Sequence, residues 1–186
     1  MLHAALLIAI TIFVSDLGDK TQLALIFLTH KTKKHLQLLY GTLLAFLLVN
    51  ILSIATATIV SHVLPTHIIK IASGITFILF GLLSFKPEKE EHISLEKKKR
   101  DSPFFSSLSI IFLSEFGDKS QIATALFATK YDPILVLISS MVGLTLISII
   151  TIYLAKKILG KIHHKTITLI GGILFIIIGV LFLLTQ

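Results

Sequence analysis

The sequence predicts an all-α membrane protein whose six transmembrane helices form two inverted three-helix repeats. Three observations predict it. Of the 186 residues, 54% are apolar and only 15% charged, where soluble domains carry roughly 25% charged residues. The apolar residues gather in six stretches near the length a bilayer demands, about 20 residues each. A ten-residue polar pattern inside the first stretch returns inside the fourth.

The stretches run over about Leu2–Leu28, Leu36–Val60, Ile68–Phe85, Phe104–Ala128, Ile134–Ala155 and Ile167–Leu184, and each reads as a spanning helix. Short polar separators divide them: Lys31–His35, Ser61–His67 with Pro65, Lys86–Pro103, Tyr131–Pro133 and Lys156–Lys165. The first stretch does not read as a cleaved signal peptide, since no Lys or Arg precedes it and acids interrupt it. Cations set the expected orientation. Separators one, three and five hold thirteen of the seventeen Lys and Arg residues; the opposite side has only Lys70 and Lys130. By the positive-inside rule the odd-numbered loops are cytoplasmic and both termini lie outside. The formal charge of +7 therefore marks topology, and no nucleic-acid partner is expected.

Composition excludes several function classes. Without cysteine there are no disulfides, thiolate metal ligands or thiol redox chemistry. Six spans consume about 120 residues, which leaves no separate soluble catalytic domain. No glycine-rich nucleotide-binding motif is present, so gradient-driven work is favoured over ATP hydrolysis. No catalytic residues and no cofactor are expected.

The repeat is specific. Ser15-Asp16-Leu17-Gly18-Asp19-Lys20-Thr21-Gln22-Leu23-Ala24 matches Ser114-Glu115-Phe116-Gly117-Asp118-Lys119-Ser120-Gln121-Ile122-Ala123 at an offset of 99, with six of ten pairs identical. In the third and sixth stretches, Gly74-Ile75-Thr76-Phe77-Ile78 and Gly81 match Gly172-Ile173-Leu174-Phe175-Ile176 and Gly179 at an offset of 98. The second and fifth share a fainter ladder, Asn50, Ser53 and Thr56 against Thr145, Ser148 and Thr151. The expected division is a first repeat over 1–86, a charged cytoplasmic linker over 87–103 and a second repeat over 104–186. Three spans per half force the halves into opposite orientations, an architecture of secondary transporters that bind substrate near the midplane.

Of ten acids, five lie in the central linker and Asp132 lies in a short turn. The other four, Asp16, Asp19, Glu115 and Asp118, occupy the repeated motif near the middle of their spans. An ionised carboxylate at that depth costs roughly 2.5–3.5 kcal/mol before compensation, so these acids are expected to face the bundle interior. On a continuous helix Asp16, Asp19 and Gln22 share one face, as do Glu115, Asp118 and Gln121. Gly18 and Gly117 permit close helix approach, or local unwinding that frees carbonyls. Together with the hydroxyls of Thr21 and Ser120, the two copies offer an all-oxygen set suited to a hard divalent cation such as Mn²⁺, Ca²⁺ or Mg²⁺. Lys20 and Lys119 are expected to pair with carboxylates when no cation is held. Purely structural interhelical salt bridges are the plainer alternative, and duplication of the whole constellation argues against them.

The doubled E-x-G-D-[KR]-[ST] signature resembles the GDT1 family (UPF0016), which includes the human Golgi transmembrane protein 165 and bacterial manganese exporters. The resemblance spans essentially the whole chain. It implies transport of Mn²⁺ and Ca²⁺ in exchange for protons, with Asp16, Asp19, Glu115 and Asp118 as cation ligands. The chain departs from the pattern at Asp16, one methylene shorter than the family Glu, which bears on ion preference. In a bacterium, the orientation above makes it an exporter of Mn²⁺ across the plasma membrane. Two rivals remain: a proton-coupled exporter of a small organic solute, such as an amino acid, and an intramembrane enzyme or assembly factor whose polar site acts on a lipid. The expected partners are the lipid bilayer, the cation and protons; the oligomeric state is left open, a homo-oligomer included. Asn50 is the best candidate to line the ion path beyond the motif, although interhelical hydrogen bonding is its plainer role. The glycine pairs read as close packing and the eight histidines as solvated or interfacial.

Overall fold

The structure is a computed structural model that describes residues 2–17, 19–85, 102–154 and 164–184, without the side chains of Lys20, Leu154 and 164–168. Among the described residues the regular structure is helical. In chain order the helices are α1 (Leu2–Asp16), α2 (Lys20–Lys31), α3 (His35–Val63), α4 (Thr66–Leu83), α5 (Pro103–Glu115), α6 (Lys119–Ala128), α7 (Pro133–Ile149) and α8 (His164–Leu184). A π-helical turn over Ile150–Leu154 extends α7. Most of the charged linker falls outside the described residues.

Sequence chemistry accounts for the helix ends. Pro65 and Pro103 have no backbone N–H to lose and sit at helix starts, as N-cap of α4 and first residue of α5. Asp132 caps α7, its carboxylate accepting the Leu135 N–H at 3.0 Å, ahead of Pro133. The apolar composition leaves many large side chains facing outward on every long helix, among them Leu6, Leu48, Leu79, Leu113, Leu146 and Ile177. In water such a surface would aggregate; in lipid it is the solvent-compatible face.

Three helical stretches are long and apolar enough to cross a membrane: α3, α4, and α7 with its π-turn. The pair α1–α2 would add a fourth, as a span bent by 69°. The first and fourth stretches, each read from sequence as one spanning helix, are therefore interrupted. Each is two shorter helices that end and restart within the repeated motif, α1 ending at Asp16 and α2 starting at Lys20, α5 ending at Glu115 and α6 starting at Lys119.

The two sequence halves interleave. The main contacts are α1 with α7, α3 with α5, and α4 with α8. At the last of these, a Cβ placed on Gly74 would lie 3.0 Å from the Gly179 carbonyl oxygen, and one on Gly81 would lie 2.6 Å from that of Gly172. The reciprocal approaches, Gly179 to the Gly74 carbonyl oxygen and Gly172 to that of Gly81, are 2.7 and 2.9 Å. This order of pairing makes α4 and α8 antiparallel, backbone against backbone. Beside them Phe77 packs its ring on Phe127, Phe175 and Phe182 at centroid distances of 5.2, 5.8 and 5.4 Å.

The buried positions of α3 fix the register of the second and fifth stretches. Leu38, Gly41, Thr42, Ala45, Phe46, Val49, Asn50, Ser53 and Ile54 are buried. Each has a buried counterpart 98 residues on, from Val136 to Ile152. Asn50 thus corresponds to Ser148 and Ser53 to Thr151, which corrects the three-residue-shifted ladder that sequence alone suggested.

Substituting Gly179 by Ala is expected to destabilise the protein by about 1–3 kcal/mol through overpacking against the α4 backbone. Thermal unfolding in detergent measures it, with the outward-facing Ile75→Ala as a control that leaves the midpoint unchanged.

Candidate metal centre

Both motif copies lie at helix breaks. In the second copy Phe116 ends α5 and Gly117 turns left-handed at φ +84°, a conformation that costs other residues roughly 1–2 kcal/mol. Asp118 then caps α6, its carboxylate accepting the Ser120 N–H at 3.3 Å. In the first copy α1 ends at Asp16 and Asp19 is the N-cap residue of α2. One face of a continuous helix, the sequence expectation for Asp16, Asp19 and Gln22, is thereby overturned, and so is its counterpart in the second copy. The breaks bring four helix ends to one place. Carbonyl ends of α1 and α5 and N–H ends of α2 and α6 converge, the arrangement that half-helices use around ions in membranes.

The breaks also converge on each other. One carboxylate oxygen each from Asp16, Glu115 and Asp118 lie within 4.8 Å of one another. Asp19 joins them: all four carboxylates are close enough to interact electrostatically at Asp16. Lys119 crosses from the second copy to the first, its Nζ 3.8 Å from Asp19 Oδ1. The pairing expected of this lysine is present, and it joins the two copies. Gly18 and the Lys20 side chain, also singled out from sequence, lie outside the described residues.

Polar neighbours fix several of the ligand atoms. Ser120 Oγ donates to Glu115 Oε2 at 3.1 Å and Ser15 Oγ to Asp16 Oδ1 at 3.2 Å. Thr21, fully buried, faces Glu115. Asp16 Oδ2 and Glu115 Oε1 are buried and have no hydrogen-bond partner among the described residues. Buried polar atoms are seldom left so; these two are acceptor oxygens at the centre of the cluster, the chemistry a hard cation would satisfy. The glutamines stand differently. Gln22 Oε1 accepts a hydrogen bond from Thr151 Oγ1 in the π-turn, while Gln121 Oε1 accepts the Gly117 N–H of its own motif. Asn50 is buried and donates to Met141 Sδ at 3.7 Å, which occupies it between α3 and α7. Sequence reasoning placed Thr151 only in the ladder of the fifth stretch and gave it no part at the motif. Its signal was the 98-residue offset already visible between the third and sixth stretches.

The family profile described as "Divalent cation/proton antiporter GDT1" matches residues 4–92 and 103–186. The chain belongs to the GDT1 family. A GDT1-like protein of Synechocystis is 30% identical, covering 91% of each chain. The GDT1-like protein 5 of Arabidopsis thaliana is 30% identical over 94% of this chain and 92% of its own. A Vibrio cholerae protein named "Putative manganese exporter" is 26% identical over 91% of this chain and 84% of its own. No solved structure matches. The GDT1 family is one of membrane cation/proton antiporters, so transport is the activity to be explained.

Two further cavities lie away from the cluster. One, of about 460 Å³, is lined by residues 29–33, His35, Ile152 and Tyr153; the other, of about 320 Å³, by Ser61, Thr66, His67, Lys70, Thr129, Lys130 and Phe182. In the second, burial and the neighbouring Lys70 charge push the Lys130 ammonium below its ordinary pKa.

Gly117→Ala is expected to cost about 1–2 kcal/mol from backbone conformation alone, because the space around an added Cβ is empty. Gly117→Asn is expected to cost less, since Asn tolerates the left-handed region. Thermal unfolding of the two variants separates this backbone cost from a steric one.

Proposed function

We propose that this protein is a secondary transporter that exports divalent cations, Mn²⁺ foremost with Ca²⁺ accepted by the same oxygens, in exchange for protons. The observation that carries the reading is the meeting of carboxylates from both motif copies within one buried cluster. Four acids in a lipid-embedded bundle require compensation. One lysine supplies part of it; a divalent cation held by Asp16, Asp19, Glu115 and Asp118 supplies more. Gln22 and Gln121 can add amide oxygens, and the turn at Gly117 frees backbone carbonyls at its break. When the cation leaves, Lys119 and protons take over its charge, which couples the two fluxes.

The architecture that goes with this function is six spans in two inverted halves, 1–86 and 104–186, joined by the cytoplasmic linker 87–103. In it α1–α2 and α5–α6 are broken spans and α3, α4, α7 with its π-turn, and α8 are whole. The antiparallel glycine contact of α4 with α8 supports it, as do the paired contacts α1–α7 and α3–α5. The lysine-rich separators support an orientation with the odd loops in the cytoplasm and both termini outside. A bacterial plasma membrane is the setting that makes outward Mn²⁺ movement useful, and the manganese-exporter name of the Vibrio relative agrees with it.

Proteoliposomes test this reading. Mn²⁺ flux is expected to follow an imposed pH gradient and to stop when the gradient is collapsed. Asp19→Asn and Asp118→Asn are each expected to lower the flux by more than about tenfold, since even outer partners of metal ligands are worth that much. Full flux in both variants would remove the carboxylate cluster from the transport path.

A further inference from the structure

The two halves match in sequence but differ at their glutamines. With the register fixed above, Gln22 corresponds to Gln121 and Thr151 to Ser53. In one half Thr151 donates across to Gln22, and both side chains are buried, 0% and 1% exposed. In the other the Ser53 hydroxyl donates to the Val49 carbonyl of its own helix at 2.9 Å, and Gln121 folds back onto Gly117. The backbone differs in the same place. Thr151 sits in the π-turn, whereas Ser53 sits within the unbroken α-helix of α3. Accessibility follows: Asp19 and Gln22 are buried, Asp118 and Gln121 only half-buried.

We propose that Thr151–Gln22 and Ser53–Gln121 are two latches that close in turn during transport, the structure holding the first closed and the second open. The inference rests on the transporter reading above and assigns Thr151 and Ser53, neither of them a carboxylate, as positioning residues. Direction follows from the helices. From the cluster α2 runs toward Lys31 and its cationic separator, and α6 runs toward Thr129, so the first latch closes the cytoplasmic side and the second the outer side. Along α2 the face bearing Gln22 continues through Leu25 to Thr29, which lines the 460 Å³ cavity together with Ile152 and Tyr153. The closed latch therefore stands between the carboxylates and that cavity. A π-turn holds one extra residue per turn, and such turns recur at functional sites. Resetting it to α-helix would rotate Thr151 away from Gln22, and the equivalent change in α3 would turn Ser53 toward Gln121.

The absence of cysteine gives a silent background for the test. Leu25, buried on the Gln22 face of α2, is replaced by Cys, and a membrane-impermeant maleimide is applied from the cytoplasmic face of oriented vesicles. Thr151→Val is expected to raise the labelling rate about fivefold, the effect of losing one buried neutral hydrogen bond. Thr151→Ser, which keeps the hydroxyl, is expected to restore the parental rate. Ser53→Ala, which weakens the opposite latch, is expected to leave labelling at or below the parental rate. A parental rate in Thr151→Val, a fast rate in Thr151→Ser, or acceleration by Ser53→Ala overturns the proposal. Mn²⁺ flux by the parent chain, measured on the same vesicles, separates the two claims: its absence refutes the transporter reading, whereas the labelling rates alone decide the latches.

Discussion

Carboxylates held inside a lipid-facing bundle dominate the energetics of this fold, and nearly every other feature is arranged around them. Asp16, Glu115 and Asp118 present oxygens within 4.8 Å of one another, with Asp19 beside them. Like charges at that spacing repel strongly where water is scarce. They persist only because compensation is local: the Lys119 ammonium at Asp19, the Ser15 and Ser120 hydroxyls, and the N–H ends of α2 and α6 at the cluster. A bundle of unbroken helices could not supply the last of these. Breaking α1 from α2 and α5 from α6 exposes backbone groups inside the protein, where they are useful, and not to lipid, where they would be unsatisfied.

Packing around the breaks has to be rigid, and small residues make it so. Glycines let the α4 and α8 backbones touch, and Gly143 of α7 lies against the Ala9 carbonyl of α1. Without a hydrophobic driving force between helices in lipid, such close contacts carry association. The phenylalanine cluster at Phe77 fills the remaining space with rings from both halves. Against this rigid frame, the differences between the halves at Gln22 and Gln121 stand out as places able to move.

Much of this was legible in the sequence, and the failures have identifiable causes. The doubled motif gave the four acids, Lys119 and the family, because lipid penalises such residues so heavily that their placement carries information. The helix breaks were left open, with unwinding at the motif glycines one of two readings, since apolar length cannot distinguish a continuous span from two half-helices end to end. A local signal was available. Asp19 and Asp118 each stand three residues before a glutamine, the spacing of a capped helix start, beside a glycine free to turn left-handed. The hydroxyl ladder of the second and fifth stretches was read three residues out of register because polar residues alone were matched. Small and buried positions together, such as Ala45 with Gly143, fix it. Thr151 went unassigned for the same reason: its partner Gln22 is 129 residues away, and no local pattern links them.

In the proposed site both motif copies hold one cation jointly. Equilibrium Mn²⁺ binding to the detergent-purified chain, counted by the loss of the free-ion paramagnetic resonance signal, tests it most directly. One tightly held Mn²⁺ per chain is expected, with binding weakened by more than about tenfold in Asp16→Asn and equally in Glu115→Gln, one acid from each copy. Two independent ions per chain, or full affinity after loss of either acid, would contradict it.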